Sequence, residues 1–311
     1  MPQISSFFQH TRFDALWQTL KNVHGPAGER WVAELPERLA QLLQVQQWEL
    51  LPTVYTLSYH LVLETSAGVL KLGPPCEAFS REIQVLKTYR DCAGVVNLDR
   101  GNPDFAYMLL DPLTDQTLGG NYVNAEHDQQ LTHTICQLMK TMHGYSPPGM
   151  AQIQNMTTLN DYREGFSRYH SRHEGNVSPF DAELVAEAET LYGELCTTAP
   201  EPVLLHGDLH GYNVLMSPEA VVIDPKGIVG DPAFEPAAFL SNHLPPHKNQ
   251  WEHCLAQRIE IFEATFGPRV LPWAFAQMVL SALWHDEDSE DGSETLFIAQ
   301  LLRKMLKSAH G

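Results

Sequence analysis

The amino-acid sequence predicts a two-lobed α+β fold, a small antiparallel-sheet lobe followed by a mainly helical one. Three features point there: strand-type residues concentrated between 48 and 110, helical periodicity after 112, and one compact run of short strands at 203–224. The lobes are expected over residues 1–111 and 112–311.

Taken in order, residues 12–47 read as helical, with Trp17, Leu20, Leu35, Leu39, Leu42 and Leu43 at roughly helical spacing. Over 48–72, β-branched, aromatic and leucine residues predominate and Ala67-Gly68 supplies a turn, so a small antiparallel sheet is expected. One helix over 76–91 follows, then short strands near 95–98 and 105–110. Beyond Asp111-Pro112, apolar residues recur three and four apart over 125–143, 157–173 and 181–197. Short strands are expected within 203–224, and helices near 247–266, 272–285 and 293–308 finish the chain. No internal repeat or low-complexity tract interrupts this order.

Composition narrows the function. The 311 residues are 43% apolar, enough for a substantial core and against wholesale disorder. Charged or polar residues interrupt every apolar run before it reaches membrane-span length. Residues 1–10 carry neither a basic n-region nor an apolar h-region. The five cysteines (Cys76, Cys92, Cys136, Cys196 and Cys254) form no C-x-x-C pair and suit free thiols in a reducing compartment. The expectation is a cytoplasmic monomer or homodimer. A formal charge of −18 repels nucleic acid and anionic membrane and steers a cationic ligand inward, or serves only solubility. A nucleotide bound here needs local neutralisation by a lysine and by metal ions.

The segment from Leu204 to Asn213, followed by Val221-Val222-Ile223-Asp224, carries the chemistry. It contains H-x-D-x-x-x-x-N and then an aspartate ending an apolar strand. Phosphoryl transfer from ATP needs a carboxylate to accept the proton of the attacking hydroxyl, and oxygen ligands for Mg²⁺. Asp208 is placed to be that base, with Asn213 and Asp224 as the metal ligands. A hairpin of 214–217 with 220–223 can bring those two together. A lone D-x-x-x-x-N beside glycine usually marks a turn; the complete set between two apolar strands points to a kinase site.

The upstream half adds independent support. Lys71 sits inside the apolar strand Val69-Leu70-Lys71-Leu72, where an unpaired ammonium is costly to bury unless it snorkels from an edge. Glu82 lies in the following helix. A strand lysine on the ATP phosphates, held by a helix glutamate, is the usual kinase arrangement; Glu77 competes with Glu82 for the pairing. No glycine occurs between Leu51 and Leu63, so the turn around Ser58 must offer its backbone or hydroxyl to the phosphates. No G-x-x-x-x-G-K-[ST] motif exists, which excludes the P-loop NTPases.

The stretch from His206 to Asn213 and the run I-D-P-K-G-I-V-G-D-P-A-F-E from Ile223 to Glu235 resemble the aminoglycoside 6-phosphotransferase and hydroxyurea phosphotransferase family. That family includes streptomycin 6-kinases and sits within the aminoglycoside phosphotransferase and choline kinase-like group. Further similarity lies at Lys71, at Met108-Leu109-Leu110-Asp111, and at Leu280-Ser-Ala-Leu-Trp284 with the acidic stretch after it, so the resemblance spans roughly 50–305.

The resemblance implies a protein-kinase-like fold. It makes Asp208 the catalytic base, Asn213 and Asp224 the Mg²⁺ ligands, and Lys71 the ATP phosphate contact. Adenine would meet the backbone of 105–113, including Leu110 and Leu113. Asp231 and Glu235 would order the loop after the metal site. Tyr212, where small residues are frequent, and the helical first 45 residues depart from the family pattern.

For the acceptor, a small and cationic molecule, Asp286, Glu287 and Asp288 are candidate contacts at the end of a helix whose macrodipole they oppose. Equally, such residues can begin the next helix. Trp284 either stacks on the acceptor or belongs to the core. A streptomycin-type aminoglycoside leads, with an amino alcohol, sugar or nucleoside-like metabolite as the alternative. Two other readings are a metal-dependent hydrolase using His206, Asp208 and His210 as H-x-D-x-H, and a nucleotide-binding module without turnover.

Overall fold

The computed structural model describes residues 7–8, 11–55, 59–113, 116–145, 156–175 and 178–309. The chain divides into two compact units, 1–91 with 96–115, and 92–95 with 116–311. Among the described residues, no helix is long and apolar enough to cross a membrane.

The first unit is a five-stranded antiparallel sheet in the order β1-β2-β3-β5-β4: β1 Leu50–Val54, β2 Leu61–Thr65, β3 Gly68–Leu72, β4 Leu98–Asn102 and β5 Tyr107–Leu110. Strand alternation sends Leu61, Leu63, Leu70, Leu72, Tyr107 and Leu109 into one buried cluster. Against it packs helix α1, Asp14–Gln46, through Leu16, Leu20, Trp31, Leu35, Leu39, Leu42 and Leu43. The stretch expected to be helical over 12–47 is broken at Gly25, whose φ of 53° and ψ of −136° no helix permits, and Pro26 removes the next backbone donor. The chain folds so tightly there that a Cβ at Gly28 would collide with the Leu20 carbonyl. The same alternation puts Lys71 on the opposite side of β3 from Leu70 and Leu72. Helix α2, Glu77–Thr88, follows β3 and is N-capped by the Cys76 thiol, which accepts the Phe79 N–H.

The expected strand at 95–98 lies further on. β4 begins at Leu98 and runs through Asp99, Arg100, Gly101 and Asn102, residues whose composition reads as a turn but which an edge strand with a solvated face accommodates. Val95 instead bridges Val222 in the second unit.

The second unit is predominantly helical. Its main helices are α3 (Ala125–Gly144), α4 (Leu159–Tyr162), α5 (Glu164–His173), α6 (Ala182–Thr197), α7 (Ala237–Leu240), α8 (Trp251–Phe266), α9 (Val270–Glu287) and α10 (Ser293–Ala309). Helix α9 is buried on nearly all sides from Val270 to Leu283, as an apolar helix at the centre of a bundle must be. The expected helix over 157–173 is interrupted at Arg163, and its first two residues form strand β6, Thr157–Thr158. Strands β7 (Val203–Leu205) and β10 (Ile228–Gly230) pair antiparallel, and β8 (Val214–Ser217) pairs with β9 (Glu219–Val222) as the expected hairpin. The five cysteines are unpaired.

Candidate active site

Within the first unit, Lys71 is on the central strand of the sheet and only 3% exposed. Its Nζ donates to both carboxylate oxygens of Glu82, at 2.7 and 2.9 Å. The alternative partner, Glu77, is exposed and turns to Arg81. A buried ammonium gripped by one carboxylate is immobilised, and it is a preformed point charge for an anionic ligand. Leu110 ends β5, and the next residue is tied back by the Asp111 N–H donating to the Asn97 carbonyl at 3.1 Å. Leu113 is half-buried. Ser58 lies outside the described residues.

Within the second unit, β7 delivers the chain into the loop that carries Asp208. Gly207 adopts φ 82°, which favours glycine, and a Cβ there would lie 2.5 Å from Ile228 Cδ1 and force that side chain to shift. The buried Glu235 carboxylate accepts the N–H groups of His206 and Gly207, each at 2.8 Å, and pairs with His143 Nε2 at 3.2 Å. Burial pushes the Glu235 carboxyl up, but the His143 hydrogen bond and charge, the His206 ring and the Gly207 N–H outweigh it and hold it below the ordinary value.

His206 Nδ1 accepts the Asp208 N–H at 3.2 Å, which places the ring proton on Nε2, the donor to the Ile223 carbonyl at 2.8 Å. Both ring nitrogens are thereby committed to positioning the loop. The H-x-D-x-H set therefore does not present His206 as a metal ligand, and among the described residues no three His, Cys, Asp or Glu side chains gather as a metal-binding group.

Asn213 Nδ2 donates to the Asp208 carbonyl at 2.9 Å, which orients the amide and directs Oδ1 elsewhere. The hairpin register sets Val214 opposite Val222, and the Ile223 N–H donates to the Asn213 carbonyl at 2.9 Å, so Asp224 emerges beside Asn213. Asp224 has φ 59°, a left-handed conformation that aspartate tolerates better than most residues and that often marks a functional position. An amide oxygen and a carboxylate so juxtaposed suit a hard divalent cation such as Mg²⁺.

Other side chains frame this loop, and of these Lys226, His243 and Arg258 were not singled out by the sequence. Lys226 Nζ contacts Asp208 Oδ2 at 3.0 Å, and His210 Nε2 is 3.8 Å from Oδ1. Half-exposed Tyr212 lies on the His243 ring, centroids 4.6 Å apart. Buried Arg258 grips Asp128 with both its Nε and Nη2 and donates to the carbonyls of Phe239, Asn242 and His243, fixing the backbone that carries that ring. Lys226 lies inside the run quoted above, so only its role was hidden; Arg258 and His243 carry no local signal.

Asp231 and Glu235 divide their work differently from what the resemblance implies. Asp231 caps residues 232–234 and takes Arg269 and the Trp273 indole N–H. Glu235 holds the loop that precedes Asn213 and Asp224, not the one that follows them.

At the end of α9, Asp286 pairs with Arg172 and His173, both at 2.9 Å, and Glu287 pairs with Arg168 at 3.0 Å. These carboxylates are compensated by α5. Asp288 caps the helix, its N–H donating to the Trp284 carbonyl. Trp284 packs edge-on against Tyr162, and its indole N–H is buried with no acceptor among the described residues.

The family model of the aminoglycoside/hydroxyurea antibiotic resistance kinases matches residues 45–289. The chain is 25% identical over 312 aligned positions to streptomycin 6-kinase of Streptomyces griseus, covering 93% of this chain and 94% of that protein. It is 26% identical to hydroxyurea phosphotransferase of Kitasatospora aureofaciens, covering 86% and 77%. Among solved structures, an aminoglycoside phosphotransferase in ternary complex with ADP and hygromycin B superimposes with a TM-score of 0.57 at 16% identity, covering 85% of this chain and 97% of that one. The fold is protein-kinase-like.

Proposed function

The chain belongs to the aminoglycoside/hydroxyurea antibiotic resistance kinase family, and on that premise we propose that it moves the γ-phosphoryl group of ATP to a hydroxyl of a streptomycin-type aminoglycoside. It is a small-molecule phosphotransferase with an alcohol group as acceptor. The observation that supports the finer reading is the loop built around Asp208: its N–H is held by the His206 ring, its carbonyl takes the Asn213 amide, and Asp224 follows directly on Ile223, whose N–H bonds the Asn213 carbonyl.

In this reading Asp208 takes the hydroxyl proton as the acceptor oxygen attacks phosphorus. Lys71, fixed by Glu82, holds the ATP phosphates, and the backbone near Leu110 and Leu113 receives adenine. Asn213 and Asp224 hold Mg²⁺, which neutralises charge on the phosphates when bound. Residues 1–111 serve the nucleotide and 112–311 the acceptor. The net charge of −18 draws a cationic acceptor inward. The hydroxyurea phosphotransferase similarity supports a second reading, a much smaller acceptor.

The test is ATP consumption with Mg²⁺ across streptomycin, other aminoglycosides, hydroxyurea, choline, amino sugars and nucleosides. Stimulation by streptomycin is expected. Stimulation by hydroxyurea alone moves the assignment to the second reading, and silence with ATP still bound removes both acceptors.

A further inference from the structure

Lys226 has no part in the reaction as set out so far, yet it touches the one side chain through which the proton must pass. Its Nζ lies 3.0 Å from Asp208 Oδ2, and its side chain is 54% exposed. That contact is set by the backbone. Lys226 is preceded by Asp224 at φ 59° and Pro225, and followed by Gly227 at φ 72°, whose N–H donates to the His206 carbonyl at 3.0 Å. The two chain segments therefore run side by side, so closely that a Cβ on Gly207 would meet Lys226 Cβ at 3.5 Å.

The segments run side by side because β7 and β10 pair there, but an exposed Lys–Asp pair contributes little to stability, so the side-chain contact of Lys226 is poorly explained by folding alone. The chemistry of the position explains it better. The acceptor oxygen must hydrogen-bond Asp208 while lying about 3–3.5 Å from phosphorus in a reactive pose. An ammonium already in contact with that carboxylate is within one swing of its four-carbon stem from the γ-phosphoryl oxygens.

Resting on the kinase reading, we propose that Lys226 is a further catalytic residue: it leaves Asp208 for the γ-phosphoryl group of ATP and carries its charge through transfer. The acceptor O–P bond forms as the bond from phosphorus to the ADP oxygen breaks, with that electron pair leaving on ADP. The hydroxyl proton goes to the carboxylate of Asp208, which Lys226 has vacated, and then to solvent. Lys226 donates hydrogen bonds and exchanges no proton.

The test compares ATP and ADP affinity, by calorimetry with Mg²⁺, in wild type, Lys226→Met and Lys226→Arg, alongside the transfer rate. Lys226→Met is expected to weaken ATP about tenfold while leaving ADP unchanged, and to lower kcat by about 10²–10³-fold. Lys226→Arg keeps the charge and should retain the preference for ATP. Unchanged affinities and rate would make the pair a solvated surface contact and overturn the proposal. Equal weakening of ATP and ADP would assign Lys226 a structural role and overturn it too. A wild-type protein that binds neither nucleotide removes the kinase reading itself. One that binds ATP but transfers to no panel acceptor leaves Lys226 to be judged on the affinities.

Discussion

The Glu235 carboxylate accepts the Gly207 N–H at 2.8 Å across 28 residues of chain, while its other oxygen accepts the N–H of His206. Two consecutive amides of the Asp208 loop are thus fixed by one buried side chain. Glu235→Gln replaces an acceptor by an NH₂ group that must face an N–H or turn away. A loss of about 1.5–3 kcal/mol is expected, with a fall in kcat as Asp208 shifts. Urea titration and a transfer assay read both. An unchanged midpoint would mean that the clamp contributes nothing.

Lys71 and Glu82 separate binding from stability. Lys71→Met leaves a carboxylate buried without its partner, at a cost of about 3–5 kcal/mol. The double variant Lys71→Met/Glu82→Leu removes both charges and should recover most of that loss. ATP affinity should stay low in both proteins. Recovery of nucleotide binding in the double variant would remove Lys71 from the phosphate site.

His243 gives the protein an acid-sensitive joint. Its Nε2 accepts the Gly211 N–H at 3.1 Å, and Nδ1 donates to the Gly120 carbonyl at 2.9 Å. Burial holds its pKa below the ordinary 6.5, with Arg258 adding to the effect and the Gly120 carbonyl and Asp128 opposing it. The folded value is depressed, so the unfolded chain binds more protons between the two values. Stability contributed by neutral His243 is complete above 6.5 and lost as pH falls through the folded value. Unfolding titrations over about pH 5 to 7.5 should show that limb in wild type and a shallower one in His243→Gln. Equal slopes would place the limb on other groups, partly buried His210 among them.

Legibility in the sequence followed the range of the interaction. Lys71 stood out because a period-2 strand exposes a charge on the wrong residue type, and Asp208, Asn213 and Asp224 because a hairpin joins them locally. Strand β4 was displaced from its expected position because Asp99, Arg100, Gly101 and Asn102 resemble a turn until a neighbouring strand is present. The Gly25 break required weighing a glycine–proline pair against a strong helical period. Partners far apart left no local trace. Glu235 with the Gly207 amide, Arg258 with Asp128, and Asp286 with Arg172 are joined only by the tertiary fold. That last pairing is why the acidic stretch reads as open for a ligand in the sequence and as compensated in the structure.

The central claim, that Asp208 is the base of an ATP-dependent transfer, is tested most directly by measuring ATP affinity and transfer rate on the same preparation of Asp208→Asn. Transfer should fall on the order of 10²-fold or more with ATP affinity largely kept. Transfer at the wild-type rate, or loss of ATP binding together with activity, would contradict it.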